Sequence, residues 1–156
     1  MNKIITFKDL PNLIGKLKDS RRVLIGGVFD LIHLGHVRFL AQAKQHGTLL
    51  VALESDANVK HRKGKHRPFH TQTERAEMLT HIDTADYILM LPTLATHADY
   101  FNLVKAILPD VIVVTAGDAQ LVNKTKQAEI VGAKIVIIPK IATPSTTQLA
   151  KLLNLE

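Results

Sequence analysis

Short apolar runs recur along the chain at Arg22 to Val28, Thr48 to Leu53, Tyr87 to Leu91, Val111 to Val114 and Ile135 to Ile138. None alternates cleanly with polar residues, which is the pattern of strands covered on both faces. Between them, apolar residues recur at helical spacing. Leu10, Leu13, Ile14 and Leu17 predict one helix within Asn2 to Arg22, with Asp9 as N-cap and Pro11 just inside it. Further helices are predicted from Leu34 to Gln45, stopped by Gly47, and from Thr71 to Ile82, opened by a Thr71/Glu74 capping box. Ala98 to Leu108 and Ala119 to Val131, ended by Pro109 and Gly132, complete the set before a last apolar stretch containing Leu149, Leu152 and Leu153. Strand and helix alternating at this spacing imply crossover connections. The expected fold is α/β, a five-stranded parallel sheet in a single domain.

Three segments fall on the edge where the strands end. Gly26-Gly27-Val28-Phe29-Asp30-Leu31-Ile32-His33-Leu34-Gly35-His36 runs from the first strand into a helix. His33 and His36 lie one turn apart where free N–H groups and the helix dipole favour an anion, and Gly27 and Gly35 let backbone approach a bulky ligand. A phosphate site is the first reading. A metal pair and ordinary core or surface histidines remain alternatives, although no cysteine is available to complete a zinc site. Glu54 to His70, polar and basic, is either a functional loop or a solvated one. Thr143-Pro144-Ser145-Thr146-Thr147 is an ordinary helix cap that also offers a second anion seat.

Composition narrows the classes. The 156 residues suit one domain, and the absence of Cys with no long apolar run or signal-peptide pattern points to a cytoplasmic protein without a membrane anchor. The net charge of +6 is concentrated at Lys60, Arg62, Lys63, Lys65 and Arg67. So local a patch suits one triphosphate better than a nucleic-acid duplex, and few aromatic residues are present to stack bases.

The Gly-x-Phe-Asp…His-x-Gly-His motif at Gly27 to His36 resembles the signature of the cytidylyltransferase-like nucleotidyltransferases, whose fold is a Rossmann-like, doubly wound parallel sheet. Ser55-Asp56-Ala57-Asn58-Val59-Lys60, Lys63-Gly64 and Arg67-Pro68 are similar to the basic loop of the adenylyltransferase domains of ADP-heptose synthases. Arg75, Pro109-Asp110, Gly117-Asp118 and Ser145-Thr146-Thr147 continue that resemblance. It implies transfer of a nucleoside monophosphate from ATP or CTP to a phosphorylated small acceptor, with pyrophosphate released. Magnesium would be carried by the triphosphate, with no protein side chain as ligand, and the assembly would be a homodimer. His33, His36, Lys60 and Lys63 would be catalytic. Gly27, Val28, Phe29, Asp30, Gly35, Arg75, Gly117, Asp118, Ser145, Thr146 and Thr147 would bind nucleotide. Lys44 and Arg67 would bind acceptor, and Asp30 would hold the turn rather than act as a base.

The chain departs from the heptose enzymes in two places. Thr115-Ala116-Gly117-Asp118-Ala119 replaces Lys-Gly-Gly-Asp-Tyr, and Thr143-Pro144 precedes the Ser-Thr pair. Lys140 is similar to an arginine of the glycerol-3-phosphate cytidylyltransferases, so that activity is the alternative, with an FAD-synthetase-like acceptor another. A non-catalytic nucleotide- or RNA-binding module is the reading from a different class.

Overall fold

The computed structural model describes residues 2–155. Its strands β1 (Ile4–Thr6), β2 (Arg22–Gly27), β3 (Thr48–Leu53), β4 (Tyr87–Met90), β5 (Val111–Thr115) and β6 (Lys134–Ile138) form one sheet in the order β1-β4-β3-β2-β5-β6. Every pairing is parallel. The sheet therefore has six strands rather than the expected five. The extra one comes from the leader, where Ile4 and Ile5 pair with Ile88 and Leu89 at the sheet edge. Three residues are too few to show a period, and their apolar character reads equally as helix. A 3-10 turn at Phe7–Asp9 follows, then α1 (Leu10–Lys16) with Pro11 in its first turn. Asp9 holds the N-cap position, but its carboxylate takes the Thr6 hydroxyl at 2.5 Å instead of a helix N–H.

The remaining helices are α2 (Leu34–Lys44), α3 (Asp56–Lys63), α4 (Gln72–Thr80), α5 (His97–Ile107), α6 (Leu121–Val131) and α7 (Thr146–Leu152). Helix α3 lies inside the segment read as a loop. Ser55 caps it, with Oγ accepting from the Asn58 N–H at 3.2 Å. The Thr71/Glu74 capping box of α4 is present.

Side chains alternate across the strands and sort the helices into two outer layers. Val23, Ile25, Leu49 and Val51 pack with Leu40 and Ala43 of α2 and with Ala76 and Leu79 of α4. Leu24, Leu50, Ile112 and Val114 face the other way, against α1, α5 and Ala128 of α6. Thus α2, which leads from β2 to β3, and α6, which leads from β5 to β6, cover opposite faces. Since β2 and β5 are neighbours, their carboxyl ends part at the point where ligands bind in open α/β sheets. Among the described residues no helix is long and apolar enough to cross a membrane.

Candidate active site

Where β2 ends, the backbone turns through Phe29 at a positive φ of 50°, a conformation unusual for a bulky residue and held here by burial. A Cβ on Gly27 would lie 2.5 Å from the Phe29 ring, so only glycine fits beneath it. Asp30, 1% exposed, fixes the next step. It accepts from Arg67 Nε at 2.8 Å and from the Phe69 and His70 N–H groups at 2.9 and 3.1 Å. These bonds hold its carboxyl below the ordinary carboxylate range although burial opposes the shift. Asp30 is therefore a brace for the turn, and Arg67 is buried against it.

His33 is the N-cap of α2, its Nδ1 accepting from the Gly35 N–H at 3.1 Å. The neutral ring consequently carries its proton on Nε2, which is left as a donor. His36 stacks on His33 with ring centroids 3.8 Å apart and touches Phe29 from the other side at 5.0 Å. A Cβ on Gly35 would come within 2.8 Å of the His33 ring and 3.0 Å of Thr143 Cγ2, so a side chain there would drive the two walls apart. His36 Nδ1 is buried without a hydrogen-bond partner. Burial, then the neighbouring His33 and Lys63, push its pKa down to about 4, with the Leu31 carbonyl pulling weakly the other way. Burial also lowers His33. At neutral pH this is a pair of uncharged imidazoles.

The histidines line a cavity of about 260 Å³ at the β2/β5 divergence. Gly27, Val28, Phe29 and Gly35 complete their wall, while Thr115, Asp118, Lys124 and Lys140 stand across it and Ser145 closes one end. Ser145 caps α7 through Oγ and the Gln148 N–H. Thr146 donates its hydroxyl to the Leu31 carbonyl at 3.1 Å, tying α7 to the segment that carries His33.

Several sequence-predicted residues lie elsewhere. Lys44, at the end of α2, pairs with Asp86 at 2.5 Å beside the start of β3, on the opposite edge of the sheet. An acceptor at the histidines is out of its reach. Arg67, the other expected acceptor ligand, braces Asp30. Arg75 is fully buried and donates to the Val28, Glu54 and His70 carbonyls and to Asp56, so it joins α4 to the turn and to α3. Lys60 and Lys63 are exposed on α3 and do not line the cavity, although Lys63 is near enough to act on His36. Gly117, at φ +80°, shapes the turn after β5, and Thr147 sits in the first turn of α7.

The sequence pattern missed Lys124 and Phe39. Phe39, one turn beyond His36, was legible from helical spacing, whereas Lys124 belongs to no motif and reaches the cavity only because the strand order brings α6 there. Glu54 was missed as well. It accepts from Tyr100 at 3.0 Å and Asn58 at 3.3 Å and pairs with Arg62 at 2.8 Å, hanging α3 between β3 and α5.

A family model described as cytidylyltransferase-like matches residues 24–149. The bifunctional protein HldE of Helicobacter hepaticus is 35% identical over 149 residues, covering 95% of this chain and 30% of that protein. The Campylobacter concisus protein of the same name is 34% identical over 155 residues, 96% of this chain and again 30% of the relative. The chain thus spans less than a third of their length. Among solved structures, the lipopolysaccharide core biosynthesis protein of Thermoplasma volcanium superposes with a TM-score of 0.62 at 22% identity, over 78% of this chain and 97% of that one. Pantoate-beta-alanine ligase of Francisella tularensis gives 0.68 at 13% identity, over 92% and 69%. Those two likenesses concern the fold; the family model and the HldE relatives establish that the chain belongs to the cytidylyltransferase-like nucleotidyltransferases, a family of enzymes.

Proposed function

We propose that the protein transfers a nucleoside monophosphate from ATP or CTP to a small phosphorylated sugar or alcohol, releasing pyrophosphate. The leading substrate pair is ATP with D-glycero-manno-heptose 1-phosphate. The observation that carries this reading is the stacked pair of neutral histidines at the start of α2, lining a cavity at the sheet's switch point. An acceptor phosphate is already ionised, so its oxygen attacks the α-phosphorus without a general base while the bond to pyrophosphate breaks. What the reaction needs is alignment, and donors where charge builds up on the phosphate oxygens. His33 Nε2–H is such a donor, and His36 stacks against it on the same cavity wall. Lys63 and Lys60 on α3 offset the triphosphate's charge from one side, and the Ser145 end of α7 closes the other.

Magnesium in this reading enters with the triphosphate and neutralises its oxygens. Asp118, the carboxylate on the cavity wall, is already engaged by Lys124 and the Gln120 N–H, which fits an ion held by substrate rather than by a carboxylate cage.

Lys140 on the cavity wall favours a second reading, cytidylyl transfer to a glycerol-3-phosphate-like acceptor. Pyrophosphate release measured with magnesium, ATP or CTP and a panel of sugar and polyol phosphates separates the two. No release with any acceptor, from protein that binds triphosphate, would refute transfer altogether. His36→Ala is expected to lower turnover by about 10² or more with an unchanged circular-dichroism spectrum, the loss of one transition-state donor.

A further inference from the structure

The cavity has a cation that no motif accounts for. Lys124, on the second turn of α6, reaches the wall opposite the histidines and meets Asp118 with Nζ 2.6 Å from Oδ2. Both side chains are mostly covered, 25% and 20% exposed. A pair so placed loses much of its hydration, which favours a further partner for any N–H bond it leaves unpaired. The two partners differ in what they still offer. Asp118 has one oxygen on Lys124 and the other on the Gln120 N–H at 2.7 Å, so each already has a donor from its own chain. The ammonium has three N–H bonds and gives one to Asp118. This wall therefore presents a donor held in place by a carboxylate, and its complement is an anionic oxygen.

The same conclusion follows from the rest of the molecule. A reaction between two phosphorylated substrates needs more positive charge than two neutral histidines carry. Lys60 and Lys63 stand outside the cavity on α3, Lys44 lies on the far edge of the sheet, and Arg67 and Arg75 are buried on their own partners. Among the described residues, Lys124 is the basic side chain of the cavity wall that an ion pair orients; Lys140 stands exposed at the rim.

We infer that Lys124, positioned by Asp118, binds a phosphate oxygen of a substrate in this cavity. The inference rests on the nucleotidyl-transfer reading for the identity of its ligands. The phosphate belongs either to the nucleotide or to the acceptor, and one experiment separates these sources. Dissociation constants are measured by titration calorimetry for ATP, CTP, inorganic pyrophosphate and a set of sugar and polyol phosphates, using wild type, Lys124→Met and Lys124→Gln. Met retains the packing of the stem and Gln a neutral donor, so a folding defect in one leaves the other informative. At least a ten-fold weakening is expected for one class of phosphate ligand, the size of a charge-assisted hydrogen bond. Weakening confined to triphosphate and pyrophosphate assigns Lys124 to the nucleotide, and weakening confined to sugar and polyol phosphates assigns it to the acceptor. If wild type and both variants bind every ligand equally, Lys124 is only a latch for the turn after β5 and the inference is overturned while the transfer reading stands. If wild type binds none of them, both fall together.

Discussion

At the scale of single residues, the site depends on a histidine kept uncharged. In the folded protein His36 stays neutral down to about pH 4, whereas the same group in the unfolded chain takes up a proton near 6.5. Protons therefore bind the unfolded chain first. The stability that His36 contributes is intact above about 6.5 and is lost as the pH falls toward 4, with a limiting slope of about 1.4 kcal/mol per pH unit. Asp30, whose carboxyl is also lowered on folding, acts in a separate window below its ordinary 3.8. Unfolding free energies from urea titrations at pH 7 and pH 5 should thus differ more in wild type than in His36→Gln, by about 1–2 kcal/mol after allowing for the partial solvent contact of the ring. Identical pH dependence in the two proteins would mean that the stacked, buried state of His36 is not what lowers its affinity for protons. A neutral imidazole also suits phosphate binding, because an arriving anion raises the pKa again and strengthens the contact as it forms.

At the scale of elements, α3 is the part on which the basic patch depends and the part least visible in the sequence. Only Asn58 and Val59 of its residues are buried, too few to make an apolar stripe, so 54–70 reads as a charged loop. What holds the helix is polar and distant: Glu54 engages Asn58 and Arg62 on α3 and Tyr100 on α5. Glu54→Gln keeps the shape and removes the charge. About 1–2 kcal/mol of stability should be lost in urea denaturation, since Arg62 is half exposed and its share is screened by solvent. Amide exchange in α3 should quicken more than in α2; uniform protection across the two helices would argue that α3 stands on packing alone. Apolar runs and caps, by contrast, were legible: β3 lies at Thr48–Leu53 as its run predicts, and the Thr71/Glu74 box opens α4. The turn at Gly27 to His36 and the Ser145 helix start, which both line the cavity, were legible for the same reason, since local chemistry writes them. The ion pairs of Lys44, Arg67 and Arg75 were not legible, because their partners, Asp86, Asp30 and Asp56, come from other parts of the chain and spacing along the sequence carries no trace of them.

At the scale of the whole molecule, the cavity is assembled from three stretches that only the strand order brings together: 26–39 around β2 and α2, 113–124 around β5 and α6, and 138–145 ahead of α7. Just past the last of these, the Thr146 hydroxyl ties α7 to the first through the Leu31 carbonyl. A ligand lodged between them adds bonds to all three stretches, and the unfolded chain cannot offer that arrangement, so binding must appear as stability. At 100 times its dissociation constant the true nucleotide should contribute about 2.7 kcal/mol. For a chain of 156 residues that corresponds to a rise in Tm of about 5–10 °C. Comparing ATP, CTP and the two nucleosides at matched concentration makes the reading specific. The triphosphate of the correct base should give the full shift and its nucleoside much less, because the walls carry two histidines and the cations Lys124 and Lys140. A larger shift with ATP would favour adenylyl transfer, and a larger one with CTP the glycerol-phosphate-like alternative. Equal shifts from nucleoside and triphosphate would show that the cavity grips the base and sugar alone, and the phosphate chemistry assigned to His33 and His36 would then have no place to occur.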